Sequence, residues 1–551
     1  MRLQAFSSAT MSTHFSNGIR RKILTQRYEE YLIPGFAVIS LLISCIIISS
    51  KKFLWNDELL SFYLLDDRSL SHMLVAWSDK FNQAPPLYFS LGWLWDKVFG
   101  STELSLRLFS SVSLSIACIV VWTVLRRTYD FWSTTIGTLS VFCLSEHVLY
   151  HNAEVRMYGL FTTVCAFGLL QFDSINRRQK CSSAFLSINS LIHCTIVLTH
   201  LYGVFYSAAI LASFIVRDKY FGIFRQRVYL SVLIGWTILI PLSPLIINQS
   251  NNSAKWYSTF SLPETINMLI PFSKFSWFIL ILLVISILLY LIEPSSDDKP
   301  EIIQTNASRQ IPEIAVLIFA AFFMLVPCAA WIITVTLRPL LNDRYIIPTI
   351  TLSWSILLTL LTSRMIPDFQ GFRRIAKATS KNRVHSFNLR ATILSAFALG
   401  LLVHPISYAM KFSAYSQKPG ANDANYGYID LPIAMEAGHD FLPRFYYAEK
   451  PSRYFHILDW DTAIKNAESR FATGDYVHLE ALSRNYPFIQ SIQSTAFLRR
   501  YGRFLVLNEE DQKWFEARIK NNPEYKIRQL GRERGANGIL EVFLVEYQNQ
   551  N

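Results

Sequence analysis

The sequence predicts an all-α polytopic membrane protein with a soluble α/β domain at its C-terminal end. Three observations carry this. Of the 551 residues, 51% are hydrophobic and 14% aromatic, and they gather in about eleven runs of membrane-spanning length, roughly 20 residues each. The Lys and Arg residues behind the formal charge of +12 cluster in short segments between those runs, where such residues set topology. Beyond residue 410 charges become more frequent and apolar segments shorten. The expected division is therefore a membrane domain over 1–410, with an ordered first outer loop over 51–102, and an extracytoplasmic α/β domain over 411–551.

The first 30 residues are polar and basic, with Arg20, Arg21, Lys22 and Arg27. This flank places the N-terminus in the cytoplasm. The following run, Ile33 to Ser50, lacks a small-residue cleavage site and reads as a retained anchor. Further spans are expected near 103–125, 131–150, 157–173, 182–199, 201–216, 228–247, 272–292, 312–337, 345–362 and 391–410. Basic loops such as Arg126-Arg127, Arg177-Arg178-Lys180, Arg217 to Arg227 and Arg364 to Arg390 alternate with loops poorer in Lys and Arg. The poorer set holds Asp57-Glu58, Glu154, Lys255 and Asn342-Asp343-Arg344. An odd span count puts these and the C-terminal domain outside an inner, plasma-type membrane.

In the first outer loop, Leu70, Met73, Leu74, Trp77 and Phe81 recur at helical spacing, as do Leu87, Leu91, Leu94, Trp95 and Val98. Each set makes one apolar stripe, as in helices lying at a membrane interface. Pro85-Pro86 separates them. In the C-terminal part, Ile429 to Met435, Tyr454 to Leu458, Arg503 to Leu507 and Ile539 to Tyr547 read as strands, and Glu510 to Lys520 as an amphipathic helix. Strand and helix alternate, which is the pattern of an α/β domain. It lacks the glycine fingerprint of nucleotide binding.

The seven cysteines lie in or beside apolar segments, without disulfide or zinc spacing. No basic groove with interleaved aromatics argues for nucleic acid. No ligand spacing calls for a metal, so no cofactor is expected and a divalent ion is not required by the sequence.

The stretch that concentrates chemistry is Trp55-Asn56-Asp57-Glu58, just past the first span. Adjacent carboxylates there have two readings: a site, or a helix start with Asn56 as cap and two acids on the dipole. Other stretches fall at the ends of spans on the same outer side. They are Asn82-Gln83-Ala84-Pro85-Pro86-Leu87-Tyr88, Glu103-Leu104-Ser105-Leu106-Arg107-Leu108, Glu154-Val155-Arg156-Met157-Tyr158, His200-Leu201-Tyr202-Gly203 and Asp343-Arg344-Tyr345-Ile346-Ile347-Pro348. This ordered series resembles the GT-C superfamily of membrane glycosyltransferases. Within it, the series resembles the branch of protein O-mannosyltransferases, the lipid A aminoarabinose transferase and bacterial relatives. The resemblance covers residues 30–410. One departure is Ala84, where many relatives carry His before the double proline.

The resemblance implies a GT-C fold and a donor made of a sugar on a polyprenyl phosphate. The acceptor would be a lipid, glycan or protein hydroxyl. A hydroxyl needs a base, and Asp57, matching the first acid of the family's pair, is the candidate. Glu58 would position the acceptor or hold Asp57. The leaving phosphate needs positive charge, for which Arg156 and Arg344 are candidates, with Tyr345 as an added donor. Glu154, Tyr158, His200 and Tyr202 are candidate sugar or acceptor contacts. Each has an ordinary structural alternative. Arg156 could pair with Glu154, Arg344 with Asp343, and Arg107 with Glu103 one turn earlier; His200 and Tyr202 could form an interfacial hydrogen-bonded pair. One base and direct displacement would invert the anomeric centre. The competing functions are a flippase or transporter for lipid-linked sugars, against which stands the lack of an internal repeat, and a non-catalytic scaffold.

Overall fold

The computed structural model describes residues 30–81, 84–251, 260–291, 306–337, 341–366, 381–413, 418–423, 425–465, 472–509, 513–536 and 538–548. The basic N-terminal segment, Asn82, Gln83, Lys255 and most of the Arg364 to Arg390 loop lie outside them.

Helix α1 (Leu32–Ser49) leads into α2 (Asn56–Leu65), α3 (Leu70–Ala76) and α4 (Leu87–Phe99), which form the outer loop. The membrane body follows with α5 (Glu103–Arg126), α6 (Phe131–Leu144), α7 (Glu146–His151), α8 (Tyr158–Asn176), α9 (Ser183–Thr199), α10 (Gly203–Tyr220), α11 (Gln226–Trp236) and α12 (Leu239–Asn251). It continues with α13 (Leu262–Met268), α14 (Phe275–Leu291), α15 (Asn306–Thr336), α16 (Trp354–Met365) and α17 (Lys381–Lys411). Every apolar run expected to span falls on one of these helices or on two in succession, except 345–362, whose first part is a 3-10 turn (Asp343–Ile346) and a π-helical turn (Thr349–Ser353) leading into α16. By length and hydropathy, six described helices are able to cross a membrane, and three more are apolar but shorter. The difference from eleven has local causes. The run 131–150, for one, is broken where Ser145 caps α7, which leaves Phe131–Leu144 among the shorter helices. The protein is an integral membrane protein. Helix α5 and the segment Asp343–Met365 are its most enclosed long helices.

The outer loop is ordered as three helices, and α3 and α4 behave as amphipathic elements. Met73, Tyr88 and Phe89 point inward, while Leu94, Val98 and Phe99 remain exposed. Trp77 donates its indole N–H to the Ala84 carbonyl at 2.8 Å, which closes the turn ahead of the double proline.

The C-terminal domain comprises β1 (Ile433–Met435), α18 (Gly438–Tyr447), β2 (Tyr454–Leu458), α19 (Trp460–Lys465), α20 (Ala472–Asn485), β3 (Ser491–Gln493), α21 (Ser494–Arg500), β4 (Arg503–Glu509), β5 (Tyr525–Arg534) and β6 (Ile539–Tyr547). They form one six-stranded sheet in the order β3-β2-β1-β4-β6-β5. The first four positions are parallel, and β6 pairs antiparallel with both β4 and β5. Strand alternation sorts the core. Ile433, Met435, Leu505, Leu507, Val542 and Leu544 face the packing shared with the membrane body. Ala434, Phe455, Phe504, Val506, Phe543 and Val545 build a separate core on the other face. The expected strand at Ile429 shortens to Ile433–Met435, and the expected helix over Glu510 to Lys520 ends in a wide turn, Glu516–Lys520.

The domain sits on the outer loop through direct contacts. The Tyr447 hydroxyl accepts from the Leu54 amide at 2.7 Å and donates to Glu103 at 2.7 Å. The Tyr486 hydroxyl donates to Asp67 at 2.7 Å. Arg484 and Asn485 hold Asp79, and the rings of Phe62 and Tyr446 lie 5.1 Å apart.

Candidate functional site

The acidic pair opens α2, and its two members face different surroundings. Trp55 is the cap position, with extended backbone, so Asn56 is the first helical residue rather than the cap. Glu58 is fully enclosed. Arg107 grips it with two N–H bonds of 3.0 and 3.1 Å, and the Val155 amide donates to it at 2.9 Å. It thus ties α2 to α5 and to the segment that carries Arg156. The expected pair of Arg107 with Glu103 one turn earlier is present, at 3.7 Å, and Glu58 is an additional, nearer partner. Glu58 has no exposed oxygen with which to position an acceptor, which leaves it the role of holding the site together.

Asp57 faces a different environment. Arg344 donates to its carboxylate at 3.0 Å. Arg156 lies 3.7 Å from the same oxygen and donates to the Asp57 carbonyl and the Ser61 hydroxyl, each at 3.2 Å. Burial by itself would raise the Asp57 carboxyl, but the guanidiniums of Arg156 and Arg344 outweigh it and hold it below the usual carboxylate range.

Both arginines are positioned by the backbone around them. The Ser110 hydroxyl holds the Arg156 carbonyl at 2.9 Å. At Gly159 a Cβ would lie 2.2 Å from the Ser110 carbonyl oxygen, so only glycine lets α8 come this close to α5. Arg344 is the second residue of a short 3-10 turn, Asp343–Ile346, where Asn342 and Asp343 accept its backbone N–H. Asp343 therefore binds the Arg344 amide, while the guanidinium reaches Asp57.

The expected partner of Arg156 is corrected. Glu154 is buried and engaged by Lys52 at 3.2 Å and His151 at 2.6 Å. Its carboxyl is held well below the ordinary range: burial opposes ionisation, and Lys52 and His151 overcome it. Fully enclosed and doubly paired, Glu154 is not placed to touch a sugar.

Aromatic rings wall the arginines. The Arg344 guanidinium carbon lies 5.6 Å from the Trp55 ring and 6.0 Å from those of Tyr158 and Tyr345. Tyr345 stands 4.6 Å from His200 and 5.0 Å from Tyr202, between ring centroids. The Tyr202 amide donates to His200 Nδ1 at 3.0 Å, which leaves the proton of a neutral ring on Nε2. Burial, reinforced by the two arginines, lowers His200 to about 3, so it is neutral near pH 7. Tyr206 anchors Tyr345 by donating to its carbonyl at 3.1 Å.

Among the described residues, three buried donors in this cluster have no hydrogen-bond partner: Nε of Arg156, Nε of Arg344 and the Trp55 indole N–H. Unpaired buried donors are rare in proteins, and here they surround one carboxylate beside two cations. Such a set suits an anion. Among the described residues no three His, Cys, Asp or Glu side chains gather as metal ligands.

The solved structures with this architecture include ArnT from Cupriavidus metallidurans bound to undecaprenyl phosphate, at 12% identity and a TM-score of 0.52. The same protein in the apo state aligns at 11% identity and a TM-score of 0.53. Each alignment covers 92% of this chain and 97% of ArnT. The chain has the ArnT fold. The likeness to ArnT extends beyond residues 30–410 into the C-terminal domain. No family model matches the sequence, nor does any curated protein.

Asp57, Arg156, Tyr158, His200, Tyr202, Arg344 and Tyr345 thus come together, while Glu58 and Glu154 are withdrawn into buried pairs. The sequence reading missed Trp55, Ser61, Lys52 and His151. Only Trp55 carried a signal, as an aromatic at the mouth of the first span next to the acids.

Proposed function

We propose that the protein is an integral membrane glycosyltransferase. It moves a sugar from a polyprenyl-phosphate donor to the hydroxyl of a lipid, glycan or protein acceptor on the non-cytoplasmic face, with inversion. The reading is carried by one observation: Asp57 lies between Arg156 and Arg344, and each arginine keeps a buried unpartnered Nε. The ArnT fold supports the class of chemistry, and the undecaprenyl phosphate bound to ArnT supports the class of donor.

In the reaction the acceptor oxygen attacks the anomeric carbon, and the bond from that carbon to the phosphate oxygen breaks. The acceptor proton passes to Asp57. The phosphate leaves as a polyprenyl phosphate monoester and keeps the bonding electron pair. Its charge grows from one toward two as it leaves, so paired guanidiniums favour the transition state over the ground state. The donor phosphate also competes with Asp57 for those guanidiniums. Once it takes them, the carboxylate is released from the partners that depress its basicity. Tyr158, His200, Tyr202 and Tyr345 offer ring faces and polar edges to the sugar. No step calls for a metal or cofactor.

The test is a panel of radiolabelled polyprenyl-phosphate sugars offered to the purified protein in lipid vesicles with membrane extract as acceptor. Release of polyprenyl phosphate together with label transfer is expected for one sugar. Vesicles that move intact donor across the bilayer without consuming it would identify a flippase instead.

A further inference from the structure

We propose that Tyr447 of the C-terminal domain is a positioning residue for the Asp57 site, so that sugar transfer requires the soluble domain to be docked. This rests on the reading of the Asp57 cluster as a transferase site.

Tyr447 is the last residue of α18. Its hydroxyl accepts the Leu54 amide at 2.7 Å and donates to Glu103 at 2.7 Å. An amide N–H only donates, so the one hydroxyl hydrogen is left for Glu103. The ring is held separately, edge-on to Phe53 at 5.0 Å and to Tyr446 at 4.8 Å between centroids.

Two paths lead from this hydroxyl to the site. The first runs along the chain. Leu54 is buried and precedes Trp55, the cap of α2, and Asp57 is the second residue of that helix. The Trp55 amide is held from within α2, by Glu58 at 3.4 Å, whereas Leu54 is anchored from the soluble domain. The second path crosses side chains. Glu103 lies 3.7 Å from Arg107. Arg107 holds the Lys52 carbonyl at 2.8 Å and grips Glu58. Glu58 accepts the amide of Val155, the residue before Arg156. Arg156 in turn donates to the Asp57 carbonyl. Both paths therefore end on one contact, Asp57 against Arg156. Arg107 and Glu58 are fully enclosed, so water does not replace a partner that moves away.

The geometry of a base is exacting: a misplacement of about 1 Å can cost about 10²-fold in rate. Donor binding depends less on these paths. Arg344 reaches Asp57 from the turn Asp343–Ile346 and belongs to neither of them. Loss of the Tyr447 hydroxyl should therefore slow transfer more than it weakens donor binding.

The experiment compares full-length wild type in lipid vesicles with Tyr447→Phe, Glu103→Gln, their double variant and Tyr486→Phe. It reads kcat and KM for the polyprenyl-phosphate sugar that wild type consumes, and affinity for undecaprenyl phosphate. Tyr447→Phe keeps the ring; kcat should fall about tenfold or more, with KM and undecaprenyl phosphate affinity changed by less than about threefold. Glu103→Gln weakens the second path alone and should give a smaller loss of kcat. The double variant should lose less than the product of the two single losses, as members of one network do. Tyr486→Phe removes a docking hydrogen bond of equal length, 2.7 Å to Asp67, away from both paths, and should leave kcat near that of wild type. An active wild type in which Tyr447→Phe or Glu103→Gln keeps its kcat, or in which Tyr486→Phe loses as much as Tyr447→Phe, overturns this proposal alone and makes the hydroxyl a docking contact. A wild type that transfers no sugar overturns both this and the transferase reading.

Discussion

Asp57 has opposite effects on substrate binding and on chemistry, so one substitution separates them. Asp57→Asn removes the base and should lower turnover by about 10²–10⁴-fold. It also returns the charge of Arg156 and Arg344 to an incoming phosphate, so undecaprenyl phosphate should bind more tightly than to wild type. Weaker binding would put the phosphate elsewhere. Helix capping does not confuse the result, because Trp55 holds the cap position. Arg344→Lys keeps a charge but loses the planar fork, and it should raise the apparent KM for donor with a smaller effect on kcat; an unchanged KM would exclude Arg344 from phosphate binding. Glu58 is expected to behave differently. Glu58→Gln takes from the buried Arg107 its nearest counter-charge and leaves only Glu103, 3.7 Å away; breaking a buried pair costs up to about 3–5 kcal/mol. Low yield and a lowered unfolding temperature in detergent are expected, while turnover per folded molecule should fall less than in Asp57→Asn. The sequence placed Asp57, Arg156 and Arg344 together because each sits at the outer end of an apolar run. It could not separate Glu58 from Asp57, since the partner of Glu58 is Arg107 on another helix and nothing local marks that pairing.

At the scale of elements, apolar runs and amphipathic stripes were legible because burial and membrane contact impose their own periods on the chain. Strands β2 and β6 carry continuous apolar patterns and match their expected bounds. Strand β5 was missed because it lies at the sheet edge and runs Tyr-Lys-Ile-Arg-Gln-Leu-Gly-Arg-Glu-Arg. Charged edge strands resist pairing with other chains, and the same charges make such a strand look like loop. Tyr447 was illegible for another reason: its partners, Leu54 and Glu103, lie far away in the chain, and Tyr446-Tyr447 carries no motif. The sheet also contains a titrating carboxyl. Glu436, just after β1, accepts from the Tyr476 hydroxyl and from the Trp514 amide at 2.9 Å. Burial outweighs these bonds and pushes it up to about 7. A raised carboxyl favours the fold fully below its unfolded value, and that contribution is lost as pH rises through about 7. Glu436→Gln should therefore stabilise the fold at pH 8, by an amount on the order of 2 kcal/mol, read as a higher unfolding temperature, and have little effect at pH 4. Equal shifts at the two pH values would show that Glu436 does not titrate with folding.

For the whole molecule, the docking of the C-terminal domain constrains topology more firmly than counting spans does. Tyr447, Arg484 and Tyr486 reach Leu54, Asp79 and Asp67 of the outer loop, so the domain and Asp57 lie on one side of the membrane. Which side depends on parity: a basic N-terminal flank held in the cytoplasm and an odd number of crossings put both outside. A donor whose sugar must be moved without nucleotide energy, and whose phosphate meets Arg156 and Arg344 near headgroup level, also suits the outer face. Reporter fusions ending at Gly420 and at Lys80 sample the domain and the loop separately. Both should report a non-cytoplasmic location. Opposite signals would be incompatible with the contacts between Tyr486 and Asp67 and between Arg484 and Asp79. Cytoplasmic signals from both would keep the docking but make the number of crossings even, moving the reaction to the cytoplasmic face. A parallel check uses the full-length protein in sealed, oriented membranes, where a protease added from the non-cytoplasmic side should digest the C-terminal domain. Protection there, with cleavage only after the vesicles are opened, would reverse the orientation.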